Sequence, residues 1–270
     1  MTLTLLTLFI SMCLSGYFAY LICSYTAWYY FFTAFLFVIP TWLVIFLIWV
    51  LILFIWGLFI KKNKEYNYSS LYYFILRNTD TWVMNLLRIF VKKKNFESIP
   101  KEKCLFIINH NSNFDPMLMI EAISDAPLIC VTKPENFKFP IAGPFIRRCG
   151  YIDINRDDPR KAIKAINKAS DVLSSNIGHV CICPEGTRNK TNQPILPFHP
   201  GSFKIATKAE CPIVVIDVKN TKAIKKNMPF KHTIVEMNVV AVLTKDDYQD
   251  KSTQEIAEYC QNKILEDFVK

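Results

Sequence analysis

Between Met1 and Ile60 the sequence has no Asp, Glu, Lys, Arg or His. A stretch of that length without charge excludes a solvated head. It also does not read as a secretory leader, which opens with positive charge, holds about 7 to 15 apolar residues and ends at a small-residue cleavage site. A second absence concerns cysteine pairing. The chain has nine cysteines, an odd number, but no Cys-x-x-Cys. Six of them, Cys13, Cys23, Cys104, Cys130, Cys181 and Cys183, have Ile, Val or Leu as a neighbour. That pattern fits reduced thiols of a core and argues against a disulfide framework or a metal site. No internal repeat or low-complexity tract interrupts the chain.

The uncharged head is the first feature present. At about 1.5 Å per residue it would make a helix roughly 90 Å long, whereas about 20 residues cross a hydrocarbon core of about 30 Å. Two crossings and a turn fit best. The helices are expected near Leu3 to Cys23 and Phe35 to Ile60, with Ser24, Tyr25, Thr26, Trp28, Tyr29 and Tyr30 between them as an interfacial aromatic belt. Pro40 would then sit in the first turns of the second helix, and Pro40 and Thr41 form an alternative turn site. Lys61, Lys62 and Lys64 follow at once, and Lys92, Lys93 and Lys94 come soon after. This positive flank predicts a cytoplasmic side.

Between the lysine clusters, Trp82, Val83, Leu86, Leu87 and Phe90 recur at helical spacing and predict one apolar face. Such a helix either lies in the headgroup layer or packs on the domain that follows. The chain carries a net charge of +9, with 32 basic and 23 acidic side chains, all beyond Ile60. With an apolar head, the basic surplus suits an anionic bilayer surface and not nucleic acid. The expected organisation is a two-helix transmembrane anchor over 1–60, a basic amphipathic linker over 61–100 and an enzymatic domain over 101–270. The expected location is an integral membrane protein with its active domain on the cytoplasmic face.

From Lys103 onward short apolar runs alternate with helical patterns, the form of an α/β domain with a largely parallel sheet flanked by helices. Strands are predicted at Cys104–Ile108, Leu128–Val131, His179–Cys183, Ile213–Val218 and Ile234–Leu243. Helices are predicted to start at Pro116, Pro159 and Thr253. For the second of these, Asp158 supplies the cap, Pro159 the first helical position and Gly178 the end. Its buried face is read as Ala162, Ile163, Ile166, Ala169, Val172 and Leu173.

Chemistry concentrates at strand ends, where parallel sheets form their ligand crevice. Asn109-His110-Asn111-Ser112-Asn113-Phe114-Asp115-Pro116 follows one strand and opens a helix. Asp115 occupies an N-cap position, and the loop lets its carboxylate meet one imidazole nitrogen and leave the other as a base. Read blandly, the same residues are a helix cap beside a surface histidine. Cys183-Pro184-Glu185-Gly186-Thr187-Arg188 ends another strand, with a glycine for close approach, a hydroxyl and a guanidinium fork suited to phosphate. Gly150-Tyr151-Ile152-Asp153-Ile154-Asn155-Arg156 brings a second guanidinium to a third strand end.

Taken in order, His110 and Asp115, the Gly-x-Ile-x-Ile-x-Arg block, Pro-Glu-Gly-Thr-Arg and then Cys211-Pro212-Ile213-Val214-Val215-Ile216 resemble the glycerolipid acyltransferase family, most closely its 1-acylglycerol-3-phosphate branch. The resemblance implies that His110 is the catalytic base and Asp115 its orienting partner. It also implies that Glu185, Gly186, Thr187 and Arg188 form the acceptor site, with Arg156 and Lys133 as further phosphate contacts. Phe198, Gly201, Ser202 and Phe203 would shape the cleft wall. Asn155 and Asn189 stand where the family often has Asp and Ser, which bears on acceptor preference.

The implied reaction moves a fatty acyl group from a thioester to the 2-hydroxyl of 1-acylglycerol 3-phosphate and gives phosphatidic acid. The co-substrate is acyl-CoA or an acyl carrier protein, with no cofactor and no metal. The expected partners are membrane lipids, with lysophosphatidic acid as acceptor. Competing readings are another glycerolipid acceptor (glycerol 3-phosphate or a lysophospholipid), a hydrolase, a Cys181 or Cys183 nucleophile, and a non-catalytic membrane scaffold.

Overall fold

The structure is a computed structural model that describes residues 2–22, 29–62, 64–155, 158–191 and 193–269. The chain opens with two long helices, α1 (Thr2–Ile22) and α2 (Tyr29–Leu58), followed by α3 (Ser70–Leu86) and β1 (Ile89–Lys94). Next come β2 (Leu105–Ile108), α4 (Asp115–Ala122), β3 (Leu128–Thr132), α5 (Ala142–Arg148), β4 (Ile152–Asp153), α6 (Pro159–Ser174) and β5 (His179–Ile182). The remainder is α7 (Lys204–Ala209), β6 (Ile213–Lys219), α8 (Lys222–Asn227), β7 (Thr233–Leu243), α9 (Lys245–Tyr248) and α10 (Thr253–Val269).

The strands form one sheet in the order β1-β7-β6-β2-β5-β3-β4. β6, β2, β5, β3 and β4 run parallel, while β7 pairs antiparallel with β6 and carries β1 parallel beside it. Leu105–Ile108 and His179–Ile182 are buried along their whole length, as expected of central strands covered on both faces. One core cluster packs α6, α7 and α10 on one face of the sheet. The other packs α3 and α4 on the opposite face.

The first two helices form an antiparallel pair. Ser11 Oγ donates to the Val38 carbonyl at 2.6 Å, and Trp42 Nε1 donates to Thr7 Oγ1 at 3.2 Å. Leu3–Ile22 and Phe32–Leu58 have mean hydropathies of 1.9 and 2.9 and are long and apolar enough to cross a membrane. Ser24, Tyr25, Thr26 and Trp28 of the expected belt lie outside the described residues. Tyr29 and Tyr30 belong to α2, which starts six residues before the expected Phe35. Pro40 therefore sits inside α2 and not in its first turns. The helix continues because Thr41 Oγ1 donates to the Phe37 carbonyl at 2.7 Å and Ser11 donates to the next one, so side chains satisfy backbone around the proline.

Residues 61–100, expected as an interfacial linker, contribute α3 and β1 to the folded unit. Trp82 is 1% exposed and packs its ring between Trp42 and Phe46 of α2. The expected helical stripe ends early: α3 stops at Leu86, Arg88 takes a positive φ of 56°, and Phe90 lies on β1. Lys92, Lys93 and Lys94, read as a flank, lie on an edge strand, where lysines discourage pairing with foreign strands.

The α6 reading needs two corrections. Asp158 caps as expected, accepting from the Arg160 and Lys161 amides. Ile163, however, is 57% exposed, and Ala165 and Ser170 take buried places instead. The helix ends before Gly178, with Asn176 in the left-handed region at φ 55°. Gly178 is needed for another reason: a Cβ there would lie 2.5 Å from the Pro127 carbonyl oxygen.

Candidate active site

The register of β2 and β5 builds the site. Ile107 sits beside Ile182, so three residues further on, past both carboxyl ends, His110 comes beside Glu185. The contact is direct: the His110 amide donates to Glu185 Oε1 at 2.5 Å, and the Asn189 amide donates to the His110 carbonyl at 2.7 Å. The histidine backbone is thus held at both ends by the Pro184–Asn189 segment.

The imidazole is fixed by Asp115. His110 Nδ1 lies 2.8 Å from Asp115 Oδ2, and the same oxygen accepts from the Asn111 and Ser112 amides, both at 2.8 Å. Asp115 is fully buried, while the His110 side chain is 21% exposed. An oxygen that already accepts two amides faces Nδ1 as an acceptor, which fixes the tautomer with a proton on Nδ1. Nε2 is left as an acceptor at the mouth of the loop. Asp115 is the first residue of α4 and not its cap: its carboxylate turns back into the loop and receives loop amides.

Glu185 is 4% exposed, and its second oxygen accepts from the Leu196 amide at 2.9 Å. Burial pushes its carboxyl above the usual range, against the backbone donors that lower it. Both oxygens are engaged with backbone, so the side chain staples the histidine loop to the 190s loop. Gly186 has φ 72° and closes a turn by donating to the Cys183 carbonyl at 3.1 Å. Thr187 and Arg188 project into solvent beyond that turn, and Arg188 has no ion-pair partner among the described residues. Lys133 is exposed just past the carboxyl end of β3. Arg156 lies outside the described residues.

Phe198 and Phe203 do not line a cleft. They are 6% and 0% exposed and belong to the core cluster with α6 and α10. Cys181 is buried, and its thiol is held above the ordinary range by a hydrogen bond with Cys130 and by burial, which disfavours the thiolate. Among the described residues no group of three or more His, Cys, Asp or Glu is arranged to hold a metal ion.

The sequence reading missed a second support. Asn109 Nδ2 donates to Asp217 Oδ1 at 3.0 Å, and its Oδ1 accepts from the Val218 amide at 2.8 Å. Lys219 Nζ bridges Asp217 Oδ2 at 3.5 Å and Asp267 Oδ2 at 2.8 Å, tying the end of α10 to the residue before the histidine. Burial pushes the Asp217 carboxyl up to about 6, with Lys219 opposing. A polar residue just before the histidine was the only sequence signal for this network.

The family model described as Acyltransferase matches residues 90–219. The chain is 31% identical over 141 residues to the 1-acyl-sn-glycerol-3-phosphate acyltransferase of Saccharomyces cerevisiae, covering 52% of this chain and 46% of the relative. It is 32% identical over 117 residues to the alpha form of that enzyme from Mus musculus, covering 43% and 40%. The chain thus spans about half the length of these curated relatives, or less. The crystal structure of the 1-acyl-sn-glycerophosphate (LPA) acyltransferase from Thermotoga maritima superposes with a TM-score of 0.55 at 20% identity, covering 72% of this chain and 76% of that one. That likeness establishes the fold.

Proposed function

From the match of residues 90–219 to the Acyltransferase family model we propose that the chain transfers a fatty acyl group from a thioester to the 2-hydroxyl of 1-acylglycerol 3-phosphate. The observation that carries the reading is the 2.8 Å contact between His110 Nδ1 and buried Asp115, which leaves Nε2 open at the carboxyl edge of the sheet. Nε2 accepts the hydroxyl proton as the oxygen attacks the thioester carbonyl. The carbon–sulfur bond then breaks, and the imidazolium returns the proton to the departing thiolate. Asp115 stabilises the imidazolium between these steps. Such general-base assistance is worth about 10² to 10⁴ in rate.

Arg188, with Thr187, Arg156 and Lys133, forms the anion-binding end of the acceptor site. Arg188 is exposed, precedes the Asn189 amide that bonds the His110 carbonyl and has no ion-pair partner among the described residues, which supports this, because a planar fork matches phosphate oxygens. Glu185 and Gly186 shape the loop that presents them. The donor is acyl-CoA or an acyl carrier protein, and no metal or other cofactor takes part. The hairpin of α1 and α2 anchors the enzyme in the membrane that holds its acceptor, with Lys61 and Lys62 on the cytoplasmic side.

The test is an assay of the purified full chain with lysophosphatidic acid and each donor, read as phosphatidic acid by mass. Product with either donor supports the reading. Hydrolysis of the thioester without product, or strong preference for glycerol 3-phosphate, overturns it.

A further inference from the structure

The segment from Val218 to Val235 holds five lysines, Lys219, Lys222, Lys225, Lys226 and Lys231, and no acidic residue. Lys219 is consumed by Asp217 and Asp267. Lys225, Lys226 and Lys231 are exposed and have no ion-pair partner among the described residues. Among them stands Phe230, 85% exposed, with Met228 at 36%. Just inside the loop Phe90 and Ile234 are register neighbours on β1 and β7, 53% and 47% exposed. Their neighbours Ile89 and Val235 are buried toward α3, so this pair faces the other side of the sheet. Unmatched lysines thus border exposed apolar side chains at one corner of the molecule.

The position of that corner points to its partner. The loop leaves the carboxyl end of β6, so it shares an edge with His110. It is tied to the end of α3, because Arg88 Nη1 donates to the Phe230 carbonyl at 2.9 Å and the Thr233 amide donates to the Arg88 carbonyl at 3.0 Å. α2 runs antiparallel along α3, with Trp56 against Tyr72, Trp49 bonded to Thr79 and Trp42 against Trp82. Beyond Trp42, α2 continues back to Tyr29 for roughly 20 Å, in the direction of Arg88 and the Phe230 loop. The start of α2 and the loop therefore lie at the same end.

We propose that the 220–232 loop is a second membrane contact, in which Phe230 and Met228 enter the headgroup boundary while Lys225, Lys226 and Lys231 meet anionic lipid. The chemistry is that of interfacial anchors: aromatic insertion combined with about 1 kcal/mol per basic residue close to an anionic surface. The loop pins the carboxyl edge against the bilayer beside the hairpin. This holds whatever the acceptor of the reaction.

The test uses the full chain in vesicles, with the photoreactive residue benzoylphenylalanine at Phe230 or, as control, at Ile177, exposed before the amino end of β5. Irradiation in phosphatidylcholine vesicles containing phosphatidylglycerol should give lipid adducts at 230 several-fold above 177, falling when phosphatidylglycerol is omitted. That comparison needs no change at the lysines. Lys225→Glu, Lys226→Glu and Lys231→Glu together should remove the dependence on phosphatidylglycerol. Lipid adducts at 230 no higher than at 177 would overturn the proposal. So would adducts indifferent to lipid charge, or capture of added acyl carrier protein at 230 in place of lipid.

Discussion

Two zones of the carboxyl edge differ in how they are held. In the inner zone His110, Asp115, Glu185 and Asn189 are locked by backbone hydrogen bonds of 2.5 to 2.9 Å, and three of the four are buried. In the outer zone Thr187, Arg188 and Lys133 stand in solvent with no ion-pair partner among the described residues. The inner zone is organised before any ligand arrives. The outer zone leaves its donors unengaged, which suits the anion-binding role proposed for it. Proton transfer demands fixed geometry, whereas capture of a charged headgroup from a membrane tolerates mobile side chains.

If that division is right, substitutions in the inner zone act on turnover and those in the outer zone act on binding. His110→Ala should show the largest effect, a loss of about 10² to 10⁴ in kcat with acceptor affinity retained. Asp115→Asn should lose most of the same rate, because an amide cannot stabilise the imidazolium as a carboxylate does. Turnover near the parent level for His110→Ala would break the division at its centre.

Glu185 sharpens it further. The family resemblance puts this residue in the acceptor site, but its two oxygens hold the His110 and Leu196 amides. Glu185→Ala should therefore lower kcat and melting temperature together, leaving two buried donors unmade at a cost on the order of 3 kcal/mol. Glu185→Gln, which keeps one acceptor oxygen, should recover part of both. A pure rise in KM with unchanged stability would move Glu185 to the outer zone.

Arg188→Ala should act on the other parameter, raising the KM for lysophosphatidic acid with kcat nearly kept. The fork contact is worth about 1.5 to 3 kcal/mol, or roughly tenfold to a hundredfold. Arg188→Lys should restore only part. A steady-state series in acceptor concentration reads the split.

The two zones were unequally legible in the sequence. His110 and Asp115 could be paired because one short loop holds both, and the predicted strand before it lies within one residue of β2. The stapling role of Glu185 could not be read, since it depends on β2 and β5 being neighbours although far apart in the chain. β1 was missed because Lys92, Lys93 and Lys94 look like a solvated flank until β7 is available to pair with them. Likewise α2 begins early because Tyr29 to Ala34 extends an apolar helix that no polar cap interrupts. The lining role expected of Phe198 and Phe203 failed because aromatic spacing does not distinguish a cleft wall from a core.

The smallest effect concerns Asp217, the buried carboxylate behind Asn109, which extends the inner zone to α10. Its folded-state pKa, pushed up to about 6, lies above the ordinary value of 3.8. The folded protein therefore binds this proton more tightly than the unfolded chain. Its contribution is flat below about pH 4, declines as pH rises through the window to about 6, and stays at its lower level above that. Asp217→Asn removes the titration while keeping an acceptor for Asn109. Relative to the parent, its melting temperature should rise between pH 4 and pH 7 by the equivalent of at most about 3 kcal/mol. The difference should be level from pH 7 to pH 8. Asp267 remains as a partner for Lys219 in the variant, so loss of the ion pair does not mask the trend. A difference that is constant from pH 4 to pH 7 would mean that the carboxylate is fully stabilised by Lys219 and Asn109, and that the inner zone ends at Asn109.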